Sequence, residues 1–439
     1  MSFPKYSDYS KSETSWSPSI PSNWKVLPAK RGFNRRKELN TGMKCGNRLS
    51  LTLNGVLPRS LDDLDGLQAS EFETYQVFQK DDLVFKLIDL QNIKTSRVGL
   101  VHEEGIMSPA YIRLEPNKSL VFPRYAYWFF TDLYKREVFN KLGEGVRQTL
   151  GPEELLALPF FYPTLEEQKK IVNFLDHETL KIDKLVNEQE KLIGLLKEKR
   201  QAVITDAVTK GLNPKSSLKD SGVEWLGAIP ESWSVIKLKK ITSRISSGKT
   251  PSGGAEIYVD TGVIFLRSQN VYDEGLRLED VVRIPEKIDD EMSSSRVIGG
   301  DILLNITGGS IGRSCCVPHD FESANVNQHV CAIRLRQSEL VAFVELFFKS
   351  DIIKRQIDYV QNGAAREGLN FEQIGNFSIC IPPPEERKLI VENVQAKIKH
   401  ISELTSQINQ SISLLQERRS ALISAAVCGL IDVRTTNGN

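Results

Sequence analysis

No stretch of this 439-residue sequence approaches the roughly 20 consecutive apolar residues that a helix needs to cross a bilayer, and a membrane partner is not expected. Cysteine is sparse: Cys45, Cys315, Cys316, Cys331, Cys380 and Cys428 are scattered and form no C-x-x-C pair, so free, reduced thiols are expected rather than a disulfide framework. The local group Cys315, Cys316, His319, His329 and Cys331 matches no zinc spacing, and alternating buried strand positions account for it better than a metal does. An excess of charge of one sign is missing as well: the net value is +1, so a polyanionic partner can be argued only from local patches. The opening residues MSFPKYSDYSKSETSWSP have neither a basic leader nor an apolar core, which leaves the cytoplasm as the expected compartment.

What the sequence does contain is itself, twice. Trp16, Ile20, Pro21, Trp24 and Val26 recur as Trp225, Ile229, Pro230, Trp233 and Val235 at an offset of 209. A second match, at an offset of 219, begins near Arg147 and Arg366 and runs to Thr209 and Cys428; residues 163 to 209 share 17 of 47 positions with their counterparts. Between the matched ends lie stretches of about 140 residues that show almost no similarity to each other. Conserving a frame while changing its interior implies one scaffold that presents two different readers.

The frame is helical. After Pro163 and Pro382, which suit a helix start because they lack the N–H that would go unpaired there, each copy shows a heptad. The first seam is Ile171, Leu175, Glu178, Ile182, Leu185, Gln189, Leu192, Leu196, Lys199 and Val203. The second is Ile390, Val394, Lys397, Ile401, Leu404, Ile408, Ser411, Leu415, Arg418 and Leu422. A stripe this narrow is a coiled-coil seam, and it predicts two long helices. Because both belong to one chain and match in length, antiparallel intramolecular pairing is the favoured arrangement, although the seam alone also permits a homodimer. The apolar pairing residues are Ile171, Leu175, Ile182, Leu185, Leu196, Ile390, Val394, Ile401, Leu404 and Leu415. The stretch GLNPKSSLKDSG, without periodicity, reads as a linker. The resulting segments are 1–162, a first globular domain; 163–210, a helix; 211–222, the linker; 223–381, a second domain; 382–430, a helix; and 431–439, a tail.

The middles read as strands with glycine-containing turns, giving an α+β fold with mostly antiparallel sheets. A basic strip over residues 25 to 48 includes Arg35, Arg36, Lys44 and Arg48; a second includes Lys237, Lys239, Lys240, Arg244 and Lys249. Either alone is as easily a solvated face, but the same place in both copies points to phosphate contacts. Polar residues at strand ends are of the types that pair with base edges: Arg97 in the first copy, and Thr250, Arg267, Gln269, Asn270, Asn305, Thr307, Asn327 and Gln328 in the second. Neither a D/N-P-P-Y/F methyltransferase signature nor G-x-x-x-x-G-K-[ST] is present; IPPPEE and SSGKTPSGG resemble them only superficially.

KDSGVEWLGAIPESW at 219 to 233, the SGKTP loop, GDILLNITGGSIG, and helices that begin PPPEERKLIV and end RRSALISAAVCGL together resemble the specificity subunits of type I restriction-modification systems. The first copy departs from the pattern, since SETSWSPSIPSNW lacks the fuller SGVEWLG run, and its reader resembles another subtype. The resemblance implies a DNA-binding, non-catalytic chain with two target-recognition domains, each reading half of a split site. It also implies helices that hold the domains apart and dock the partners. Those partners would be double-stranded DNA, two modification subunits and two restriction subunits, with S-adenosylmethionine, ATP and magnesium used by the subunits rather than by this chain. Two other classes stay open at this point: a coiled-coil scaffold without a DNA role, and a self-contained methyltransferase or nuclease.

Overall fold

The computed structural model describes residues 3–53, 55–63, 71–88, 90, 97–142, 149–251, 254–361 and 368–434. The chain is α+β and divides into two compact units, Met1–Gln189 with Gln410–Asn439, and Glu190–Asn409. This division differs from the expected segments because each long helix is shared: its first half belongs to one unit and its second half to the other. The helices span Leu165–Lys210 and Pro384–Val427, two residues inside the expected starts. At 1.5 Å per residue each is about 70 Å long. The linker is not wholly irregular, since Leu218–Asp220 pairs with Ala228–Pro230.

Within each unit the helices run antiparallel. In the first, Ile171, Val172 and Leu175 from the start of one helix share a core with Ile423, Ala426 and Val427 from the end of the other. In the second, Ile204, Ala207 and Val208 share a core with Ile390 and Val394. Arg419 grips Asp183 through two hydrogen bonds of 2.8 and 3.2 Å, and Gln189 donates to Ser411 at 2.9 Å.

The phase of the seam differs from expectation at alternate positions. Leu175, Ile182, Gln189 and Leu196 are covered, but their companions are Thr179, Val186, Ile193 and Arg200, one residue later than expected. The second helix repeats this with Ile398, Thr405, Ile412 and Arg419. Of the expected pairing residues, Ile171, Leu175, Ile182, Ile390, Val394 and Ile401 are buried, while Leu196, Leu404 and Leu415 are half-buried. Leu185 is not in the seam: it is 52% exposed. Apolar residues at both 185 and 186, and at both 192 and 193, make the two phases equally periodic, and only packing separates them.

The dissimilar middles share one strand plan. In the first unit Phe33–Arg36, Ile112–Pro116, Leu83–Lys86 and Arg97–Leu100 form an antiparallel sheet in that order. A second sheet has the order Gly55–Arg59, Arg48–Thr52, Gly105–Met107, Gln76–Phe78, with one parallel pairing. In the other unit Thr242–Ser247, Val330–Leu335, Ile302–Asn305 and Ser314–Cys316 repeat the first order. Val282–Ile284, Val263–Leu266, Ala324–Val326 and Arg296–Val297 repeat the second, again with one parallel pairing. The second unit inserts one extra hairpin, Val271–Tyr272 against Gly275–Leu276.

Successive side chains on a strand face opposite ways, so ILL at 302 to 304 feeds two cores. Ile302 and Leu304 join the helices, and Leu303 joins Leu266, Val326 and Ala332 between the sheets. The same alternation places Cys315 and Cys331 in different cores. Burial pushes both of these thiols up to about 12, in the direction of the inert, protonated form.

Candidate nucleic-acid interface

Each long helix starts against the tryptophan of the short repeat. Trp24 Nε1 donates to Glu167 at 3.0 Å, and Trp233 Nε1 donates to Glu386 at 3.0 Å. The strand before each helix, Pro159–Tyr162 or Ser378–Ile381, pairs with Lys25–Pro28 or Ser234–Lys237. The basic strips therefore begin in the frame, and much of their charge is used there. Arg35 lies 3.9 Å from Glu153, Arg36 is 2.7 Å from Glu115, Lys237 donates to Ser378 and Lys239 to Asn376. Arg48 is buried; it donates to the carbonyls of Ser60 and Asp63, both at 3.1 Å, and lies over Phe72. Both bonds come from its Nη1 and tie the side chain to the loop that follows Arg59. Lys44 is exposed. Arg97 opens its strand opposite Lys86, and its side chain lies outside the described residues, as do Arg147 and Arg366.

In the second unit four turns converge at one end of the two sheets. Gly248 donates its backbone N–H to Asn327 O at 3.2 Å, and a β-carbon there would sit 1.5 Å from Val326 O, so only glycine permits the approach. Thr250 donates to Gln328, whose amide nitrogen lies 2.9 Å from His329 Nε2, and Thr307 Oγ1 is 2.6 Å from His329 Nδ1. Asn327 Oδ1 accepts the His329 N–H. The expected residues Thr250, Thr307, Asn327 and Gln328 thus come together around a histidine that sequence reading considered only as a metal ligand. Lys249, next to Thr250, and Gln269, next to Asn270, are exposed.

Asn270 and Asn305 are buried and serve the fold instead of bases. Asn270 accepts from Arg267 N and donates to Arg277 O, both at 2.9 Å. Asn305 donates to Ser268 O at 2.8 Å and to Ser310 Oγ at 3.2 Å, tying the turn after Leu266 to the glycine loop after Asn305. Both side chains are buried and directed into the fold, away from a base edge. Arg267 is half-buried, donates to Asp280 O at 3.0 Å and lies over Tyr258, which also restrains it. In the first unit the corresponding strand ends border an open cleft of about 410 Å³ lined by Arg59, Tyr75, Lys86, Ser108 and Tyr111. Arg48 also lines it and is the one lining residue named as a contact from sequence, since no local signal brings the others together.

The family model described as "Type I restriction modification DNA specificity domain" matches residues 63–193 and 230–414. The specificity subunit of the putative type I restriction enzyme MjaX of Methanocaldococcus jannaschii is 23% identical over 331 residues, covering 73% of this chain and 71% of that protein. The EcoBI specificity subunit of Escherichia coli is 26% identical over 274 residues, 61% of this chain and 57% of its own length. Among solved structures, a chain from work on complex assembly and conformational transition of the type I R-M system superposes with a TM-score of 0.67. It is 13% identical, with 93% of this chain and 99% of that one covered. The HsdS subunit of Thermoanaerobacter tengcongensis, also 13% identical, gives 0.50 over 93% and 98%. At that identity the likeness shows the fold alone. The family model matches well over half of the sequence, in two segments that each end within a long helix, and the chain belongs to the type I restriction-modification specificity family.

Proposed function

We propose that each globular domain reads one half of a bipartite DNA site, that the paired helices set the distance between the halves, and that the helices dock the methyltransferase subunits. One observation carries this reading: the same eight-strand plan occurs twice on a repeated helical frame, while the sequences that join the strands differ. A repeated frame with unlike loops is what recognition of two unlike half-sites needs. The chain itself performs no catalysis in this reading. S-adenosylmethionine, ATP and magnesium belong to two modification and two restriction subunits, and extrusion of the target adenine for methylation is done by the former. The setting is cytoplasmic; among the described residues no helix is long and apolar enough to cross a membrane.

Exchange of residues 25 to 160 for those of a relative tests the reading. Methylated adenines, mapped in cells that express the exchanged chain with its partners, are expected to shift in one half of the site only. Alteration of both halves would overturn the modular assignment.

A further inference from the structure

The hairpin that, among the described residues, the second unit adds to the shared strand plan carries an arrangement of its own. Arg277 lies over the Tyr272 ring at 3.6 Å from its centroid, and Arg313 lies over the same ring at 5.0 Å. Both arginines are exposed, and among the described residues neither guanidinium meets a carboxylate or a carbonyl. Their neighbours are employed otherwise: Arg244 donates to the carbonyls of Ser294 and Arg296, Arg283 to Gly262 O, Arg296 to Asp289, and Arg334 to Asp301. The acids of the hairpin tip are engaged as well, Asp273 by the Ser314 N–H and Glu274 by Arg200 at 3.4 Å.

Both arginines have fixed backbones. Asn270 donates its side-chain amide to Arg277 O, and Arg277 N donates back to Asn270 O. Asn305 N donates to Arg313 O, while Gly312, at a φ of +87°, and Arg313 close the turn onto Asn305 and Ser310. The two buried asparagines that the sequence suggested as base readers thus position two cations. Like charges sharing one ring repel, and a bound anion relieves the repulsion; the planar guanidinium fork matches phosphate oxygens.

We infer that Arg277 and Arg313, stacked on Tyr272, clamp the phosphodiester backbone of DNA at the second recognition domain. The inference rests on the proposed DNA-reading role and adds the contact chemistry at one half-site. Phosphate contacts appear in the salt dependence of binding even on a duplex of mixed sequence, with a slope of about 0.9 per contact in log K against log salt. The full-length chain would be titrated with a fluorescein-labelled mixed-sequence duplex across a potassium chloride series. Arg277→Gln and Arg313→Gln are each expected to lower the slope by about 0.9, and together by about 1.8. Arg277→Lys and Arg313→Lys should retain the slope, and Lys215→Gln in the linker should leave it unchanged. Folded variants, checked by melting temperature, that keep the wild-type slope would overturn the clamp alone. Variants that instead change which sequence becomes methylated would overturn it in favour of base reading. A wild-type chain without salt-dependent binding would remove the DNA-reading role itself.

Discussion

Glu167 and Glu386 occupy equivalent positions of the repeat and perform the same task to different extents. Glu167 is buried and accepts from Trp24 Nε1 at 3.0 Å, from Tyr6 Oη at 2.7 Å and from Asn23 Nδ2 at 3.3 Å. Glu386 is half-buried and accepts from Trp233 Nε1. Burial and the Glu167 carboxylate together hold the Tyr6 hydroxyl above the usual phenol range, which favours its protonated, donating form. A hydrogen bond to a charged group contributes about 1.5–3 kcal/mol, and removing the acceptor leaves buried donors unpaired. Glu167→Ala is therefore expected to cost about 3 kcal/mol or more, and Glu386→Ala about 1–2 kcal/mol. Urea denaturation followed by tryptophan fluorescence measures both, and equal losses would contradict the unequal roles. The tryptophans and acids were visible in the sequence as matched positions, but their partnership was not, because 143 residues separate Trp24 from Glu167.

At the scale of elements, the helices were legible because helical periodicity is local, and the strands of the middles were legible one at a time. Their order was not. Pairing such as Phe33–Arg36 against Ile112–Pro116 joins segments far apart in the chain, and nothing in either sequence announces the partner. The same limit hid the shared plan of the two domains and the use of Arg48, Asn270 and Asn305 inside them. The seam was read with the right anchors and the wrong companions, and the displaced leucines have a consequence. Leu195 and its repeat equivalent Leu414 are 60% and 65% exposed, and Leu185 joins them outside the intramolecular seam. Exposed leucines on a long helix suit a partner surface, and under the proposed docking role Leu195→Glu with Leu414→Glu should abolish co-purification with modification subunits. DNA binding by the isolated chain should persist, since neither residue lies at a strand end. Intact assembly measured by size-exclusion chromatography with light scattering would exclude this surface from docking.

For the whole molecule, the continuous Leu165–Lys210 and Pro384–Val427 helices matter because each contributes to both compact units. A spacer made of such rods has a length set by residue count, and that number can be edited. Removing one heptad from each helix, residues 187 to 193 and 406 to 412, takes out corresponding positions of the repeat and returns the seam to the same face with a rotation of about 20°. The loss of length is about 10 Å, at 1.5 Å per residue, which corresponds to about three base pairs at 3.4 Å per step. The proposed ruler therefore predicts that methylated adenines in the two half-sites move closer by about three base pairs while both half-site sequences stay the same. The DNA twist over those pairs exceeds the rotation of the rods, so methylation should also slow, as one reader is carried out of phase with its groove. Mapping modified adenines in cells that carry the shortened chain decides the matter: an unchanged gap at full rate would mean that something other than helix length spaces the readers.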